Sequence, residues 1–315
     1  MKKLLILVFL LTISSSQSYA FWVWTPETNE WVNPKFSVKD TPREQLDYAL
    51  ESYQAKDYKK TLVELEKLIK NYPRAKEAAD AQFYIALCYE EQGDLFKAFK
   101  SYQTVVEKYP FSERSSQIVE KQYRIGERFL EGEGQQNKFV RALVGSDYNV
   151  IEVFRTVIKN APYGPYAAPA QYKIGLYLLE KGLYQEARDE FEKVMNDYSD
   201  SQWVKAAKYQ MAIADAHRSV DSQYDQKVTQ AAVKEFKEFV DVYPDAELSE
   251  KARKKIHELR EKEAENNFLI ARFYEKKKEL EAAKLYYHTV INDYQDTSIA
   301  VKALENLRAL ELGKK

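Results

Sequence analysis

From residue 42 onward, apolar residues recur at i, i+3, i+4 and i+7, the spacing of one helical face, with none of the alternation of a strand. The helical stretches end alike six times. The endings are Ile69-Lys70-Asn71-Tyr72-Pro73, Val106-Glu107-Lys108-Tyr109-Pro110, Ile158-Lys159-Asn160-Ala161-Pro162, Met195-Asn196-Asp197-Tyr198-Ser199, Val240-Asp241-Val242-Tyr243-Pro244 and Ile291-Asn292-Asp293-Tyr294-Gln295. Two of the intervals, Pro73 to Pro110 and Pro162 to Ser199, are 37 residues, and the others are longer by roughly two to four helical turns. An internal repeat of helix pairs is the reading this pattern requires.

The fourth unit shows the local logic. Ile174 and Gly175 lie in a first helix, Gly182 breaks the chain, and Tyr184 opens a second helix carrying Ala187, Phe191 and Val194 on one face. Two helices approach closely only where small residues meet, so Gly175 is expected opposite Ala187, with Phe191 filling the wedge toward the next pair. The same roles fall to Ala86, Ala98 and Tyr102 in the second unit, Gly126 and Phe154 in the third, Ala232 and Phe236 in the fifth, and Ala271, Ala283 and Tyr287 in the sixth. These small, aromatic and terminal-proline positions resemble the tetratricopeptide pattern. The first unit departs from it with Thr61 and Leu65. The expected fold is an all-α solenoid of five to six helix pairs over residues 42–312, with units ending near 73, 110, 162, 199, 244 and 295.

The irregular spacings have local causes. In the third unit, the excess contains Gly132, Gly134, Gln135, Gln136 and Gly145, which predicts a loop or a short extra helix. Arg218 to Lys227 is polar and reads as an elongated turn between helices at Ala206 to His217 and Thr229 to Val242. Leu248 to Lys277 lacks Gly and Pro, predicting one long helix. Asp296, Thr297 and Ser298 offer N-caps for a closing helix from about Ile299 to Leu312.

The N-terminal 41 residues differ. Lys2 and Lys3, the apolar run Leu4 to Ile13 and Ser18-Tyr19-Ala20 read as a secretory signal over residues 1–20, with cleavage expected after Ala20. Residues 21–41 hold Trp22, Trp24 and Trp31, three of the four tryptophans. With Val23 and Val32 they flank a polar stretch from Pro26 to Asn29, predicting a small hairpin. Two uses are open: the aromatics pack on the first repeat or stay extended, or they dock a partner or the membrane surface. Burial of Trp22 and Trp24 would favour the first.

Composition narrows the chemistry. Of 315 residues, 48 are Lys or Arg and 49 Asp or Glu, so no global basic field exists and nucleic acid is excluded as the expected partner. No later run offers about 18 apolar residues, so any membrane association is expected to be peripheral at most. Cys88 is the one cysteine and sits within an apolar helix, which reads as core. His217, His257 and His288 are far apart, with no His-Glu-x-x-His or Cys-x-x-Cys spacing, phosphate loop or nucleophile elbow. Glu90-Glu91 and Lys276-Lys277-Lys278 read as solvated helix surface. The expectation is a protein with no catalytic, cofactor-binding or metal site.

The tail is more specific. Ala232-Val233-Lys234-Glu235-Phe236-Lys237-Glu238-Phe239, Tyr243-Pro244, Ala252 to Arg260 and Glu265 to Tyr274 resemble the BamD family of outer-membrane β-barrel assembly proteins, also called ComL or YfiO. Pro162 to Ala170 is similar to that family's inter-repeat connector. The resemblance implies a periplasmic scaffold that works with BamA and unfolded outer-membrane proteins, with N-terminal repeats toward substrate and C-terminal repeats toward BamA. A peptide would be captured in the concave groove. Family members carry a lipid-bearing Cys after the leader, where Phe21 stands here, so membrane contact is expected through partners or the Trp-rich segment. The alternative is a CpoB-like (YbgF-like) repeat protein coordinating peptidoglycan or envelope processes.

Overall fold

The computed structural model describes residues 22–25, 30–32, 37–132, 146–221 and 226–313. The expected leader and most of the glycine-rich insertion after Gly132 lie outside them. The chain divides into two compact units, Met1–Gln92 and Gly93–Lys315.

The first unit opens with β1 (Val23–Thr25) and β2 (Glu30–Val32), an antiparallel pair in the register Val23↔Val32, Trp24↔Trp31, Thr25↔Glu30. Three helices follow, α1 (Pro42–Gln54), α2 (Tyr58–Asn71) and α3 (Lys76–Glu91), each touching the other two. Pro42 at the first turn and the Thr41 hydroxyl, which accepts from the Glu44 N–H at 3.2 Å, start α1. Asp57 accepts from the Lys60 N–H at 3.1 Å and starts α2. Thr61 and Leu65, the two departures from the repeat pattern, are both fully buried. The Thr61 hydroxyl is satisfied by donating to the Asp57 carbonyl at 2.8 Å.

The second unit holds α4 (Leu95–Lys108), α5 (Ser115–Leu130), α6 (Ser146–Asn160), α7 (Ala167–Glu180), α8 (Tyr184–Asp197), α9 (Trp203–Asp221), α10 (Gln226–Val242), α11 (Glu247–Lys276), α12 (Leu280–Asp293) and α13 (Ser298–Glu311). Each helix packs on the next, and α7 with α9, α9 with α11 and α11 with α13 also touch. That is the stacking expected when first helices of successive pairs lie side by side. The single 30-residue α11 and the closing α13 fall where the pattern predicted them.

The core follows the repeat positions. Ala86, Ala98, Tyr102, Phe154, Ala187, Phe191, Ala232, Phe236, Ala271, Ala283 and Tyr287 are all fully buried. The role of Gly175 differs from the expected one. A Cβ there would stand 2.5 Å from Cε1 of Phe191, so the glycine makes room for the aromatic ring of the second helix. Gly126 stands in the same relation to Phe154, at 2.7 Å.

Two boundaries also differ. Arg218 to Asp221 and Gln226 to Lys227 are helical, so only 222–225, outside the described residues, separates α9 from α10. Arg218 is held by Asp215, one turn earlier on the same helix, at 2.8 Å. The start of α13 is not capped by its own side chains. The Thr297 hydroxyl donates to the Tyr294 carbonyl at 2.7 Å, and the Ser298 N–H donates to Oε1 of Glu261 on α11 at 2.6 Å. A carboxylate from another helix does the capping because the stacked pair brings it there.

Candidate functional site

Three turns between paired helices share one device. Lys56, Gly182 and Lys278 have positive φ, from 59° to 75°, immediately before the N-cap residue of the second helix. Glycine adopts this conformation freely and lysine does not. The Tyr of the repeated ending also has a visible use. The Tyr72 hydroxyl donates to the Lys39 carbonyl at 2.7 Å and to that of Asp40 at 3.1 Å, tying the end of α2 to the segment that enters α1.

Beneath the apolar core run polar ties that amphipathic patterning does not reveal. The Gln45 amide donates to the Glu64 carbonyl and carboxylate at 3.0 and 2.9 Å, and Lys67 pairs with the same carboxylate at 2.8 Å. Gln171 donates likewise to Glu190, which also takes Lys193 at 2.8 Å and Arg155 at 2.9 Å. Both sets have the same spacing, Gln followed by Glu after 19 residues and Lys after three more. Burial works to raise the pKa of Glu190, but the bonds from Lys193, Arg155 and Gln171 outweigh it and hold the carboxyl below its usual value.

A second cluster joins α8, α9 and α10. Arg188 donates to Asp215 at 3.0 Å and to Glu235 at 3.5 Å, while Arg218 donates to Asp215 at 2.8 Å. Burial, followed by the hydrogen bond and charge of Asp215, pushes Glu235 up to about 7. Structural ion clusters perturb titration as readily as catalytic ones, and this one presents no nucleophile. Cys88 is fully buried, and burial with the nearby Glu91 pushes its thiol up to about 12, which suppresses thiolate chemistry. His217 stacks on Tyr184 with ring centroids 5.1 Å apart, a packing role. Among the described residues, no group of His, Cys, Asp and Glu is placed to hold a metal ion, and no helix is long and apolar enough to cross a membrane.

What remains on the surface suits contact with other chains. Trp24 and Trp31 are cross-strand partners, and Trp22 immediately precedes β1. They are 56%, 44% and 65% exposed for Trp22, Trp24 and Trp31, so the indoles are not packed away in a core. In the second unit, Leu269 and Phe273 are exposed one turn apart on α11, and Lys277 lies over the Phe273 ring at 4.7 Å. Rigid contacts support that surface. Phe273 meets Tyr274 edge-on at 5.6 Å, Tyr274 stacks on Tyr286 of α12, and the Tyr287 hydroxyl donates to Glu275 at 2.6 Å. Arg260 clamps the α12–α13 turn, donating to both Asp296 oxygens and, at 2.8 Å, to the Asp293 carbonyl. The Arg260 bond holds the Asp296 carboxyl below its ordinary range.

Comparison with known proteins falls on the same elements. Residues 211–311, from within α9 to the end of α13, match the family model YfiO, described as outer membrane lipoprotein. Residues 80–112 and 169–201 match a tetratricopeptide repeat model. The chain is 27% identical over 163 residues to the outer membrane protein assembly factor BamD of Caulobacter vibrioides, a match covering 52% of this chain and 53% of that protein. The chain thus spans about half the length of that relative in the match. Among solved structures, the C-terminal part of a repeat protein from Cytophaga hutchinsonii aligns at 16% identity and TM-score 0.39, over 84% of this chain and 88% of the other. A tetratricopeptide repeat protein from Parabacteroides merdae aligns at 15% identity and TM-score 0.36, over 86% of this chain and 98% of the other. With its stacked helix pairs and these sequence matches, the chain is an all-α tetratricopeptide-repeat solenoid whose sequence is similar to the YfiO family model and to BamD.

Proposed function

We propose that this protein is a non-catalytic scaffold in the assembly of outer-membrane β-barrel proteins. The single observation that carries the reading is the match of residues 211–311 to the outer membrane lipoprotein family, covering α10 to α13 and thus the Leu269 and Phe273 surface. In this reading the C-terminal pairs engage a BamA-like partner, and the earlier pairs receive unfolded outer-membrane proteins. Exposed aromatic and aliphatic side chains on rigid helices act as anchors for such contacts, because little rotamer entropy is lost when they are covered. The exposed Trp22, Trp24 and Trp31 favour a docking use of the hairpin over burial against the first repeat.

The site of action proposed is the periplasm, at the face of the outer membrane. It is supported by the leader-like first twenty residues and by the family to which the tail is similar. Affinity purification of the full chain from cell envelopes tests the reading. Recovery of a BamA-like barrel protein supports it. Recovery of Tol–Pal components or peptidoglycan synthases without that barrel protein moves the chain to the CpoB-like reading.

A further inference from the structure

β1 and β2 pair with each other, and among the described residues neither strand makes an extensive contact with a helix. A hairpin this small is marginal in water on its own. Yet it gathers three of the four tryptophans within ten residues of chain, each between 44% and 65% exposed. So much exposed indole on so slight a support calls for a surface that covers it.

The charges around the indoles select that surface. From Phe21 to Pro34 the sequence holds no Lys or Arg, and its two acids are Glu27, in the stretch joining the strands, and Glu30, opposite Thr25. Protein interfaces anchored on Trp commonly add Arg beside it, and no cation is available here. A polybasic attraction to anionic lipid is ruled out for the same reason. What remains is the indole itself, a broad apolar body with one N–H donor, the side chain that concentrates at the headgroup level of bilayers.

The attachment to the helices suits the same use. The Tyr72 hydroxyl holds the carbonyls of Lys39 and Asp40, and the Lys39 N–H donates to Gln45 Oε1 at 2.8 Å, so the chain is pinned at Lys39. Residues 33–38 join that pin to β2, at most about 20 Å of extended chain. With the leader removed after Ala20, the hairpin is the free end of the chain and can lie on a surface beside the first helix pair.

We infer that the β1–β2 hairpin anchors this protein to a lipid surface, with the indoles of Trp22, Trp24 and Trp31 seated among zwitterionic headgroups. The inference rests on the docking use of the hairpin proposed above and not on which partner the C-terminal helices meet. Because no cation contributes, the attachment is apolar in origin. It is indifferent to salt and no stronger on anionic than on zwitterionic lipid.

The test is flotation of the full exported chain with phosphatidylcholine–phosphatidylethanolamine vesicles, paired with quenching of tryptophan emission by brominated acyl chains. The chain should float and its emission should fall. Replacing all three residues, Trp22→Ser with Trp24→Ser and Trp31→Ser, should weaken partitioning about tenfold or more and leave the helical circular dichroism unchanged, because the hairpin lies outside the helices. The emission left in that variant comes from Trp203, half-buried and packed 5.0 Å from Tyr172, and should resist the quencher. Added salt should change partitioning by less than about twofold, and phosphatidylglycerol should not strengthen it. Failure to float, equal flotation of the triple variant, or release by salt would each overturn the inference. If the triple variant loses a co-purifying protein while the native chain ignores vesicles, the hairpin docks on that protein instead, and the scaffold reading stands without the lipid anchor.

Discussion

Replacing Gly175 by alanine sets two well-calibrated effects against each other. In an exposed helix the change stabilises by about 1 kcal/mol, because alanine is the better helix former. Here the new methyl would stand 2.5, 2.7 and 2.9 Å from Cε1, Cδ1 and Cζ of Phe191, where carbon atoms prefer about 3.5–4.0 Å. The ring has little room to retreat. Phe191 is fully buried and sits 5.6 Å from Tyr172, which is itself packed at 5.0 Å against Trp203. Overpacking of this kind costs about 1–3 kcal/mol, and contact with three ring atoms puts it in the upper part, so a net loss of about 1–2 kcal/mol is expected. Urea unfolding of the full chain, followed by far-UV circular dichroism, should show a lower midpoint. Adding Phe191→Leu should recover part of the loss, giving a coupling of about 1 kcal/mol between the two positions. If Gly175→Ala raises the midpoint, or the two changes are additive, the close approach of α7 and α8 is not set by this pair.

Three further outcomes follow from titration and backbone geometry. Glu235 has a folded pKa raised to about 7, so its stabilising term is fully present below the ordinary carboxylate pKa and fades as pH rises through about 7. Thermal midpoints measured from pH 5 to 8 should fall, and the slope should flatten in Glu235→Gln; an unchanged slope would contradict the raised titration of buried Glu235. Lys278→Gly relieves a left-handed residue at φ 62° and should raise stability by about 0.5–1 kcal/mol, against the usual penalty for glycine, with a drop in the urea midpoint as the refuting result. Cys88, with its thiol near 12 and no surface, should react with a thiol reagent at pH 8 only after unfolding, so rapid labelling of the native protein would show the burial to be wrong.

Where the fold was legible, the signal was redundant. Small and aromatic residues return in phase, and the Tyr-Pro endings fall just past α2, α4 and α10. The absence of Gly and Pro in 248–277 announced α11, and the alternation of Trp and Val announced the hairpin. The polar interior was not legible by the same route, because an amphipathic reading assigns every Gln and Glu to the solvent. Gln45 and Glu64, or Gln171 and Glu190, meet across a helix pair, and only their shared 19-residue interval could have disclosed them.

The Arg188 cluster was harder still, since its carboxylates lie 27 and 47 residues away on two other helices. Lys56 and Lys278 were hidden by their identity, because a left-handed turn is sought at glycine.

The central claim is that the surface of α11 and α12 meets the barrel-assembly machinery. Its most direct measurement places a photo-crosslinking amino acid at Phe273 of the full chain in living cells and identifies the adduct by mass spectrometry. The account predicts a discrete adduct to a BamA-like outer-membrane protein, abolished when the crosslinker is moved to buried Tyr287. Adducts confined to peptidoglycan synthases or Tol–Pal components would contradict it.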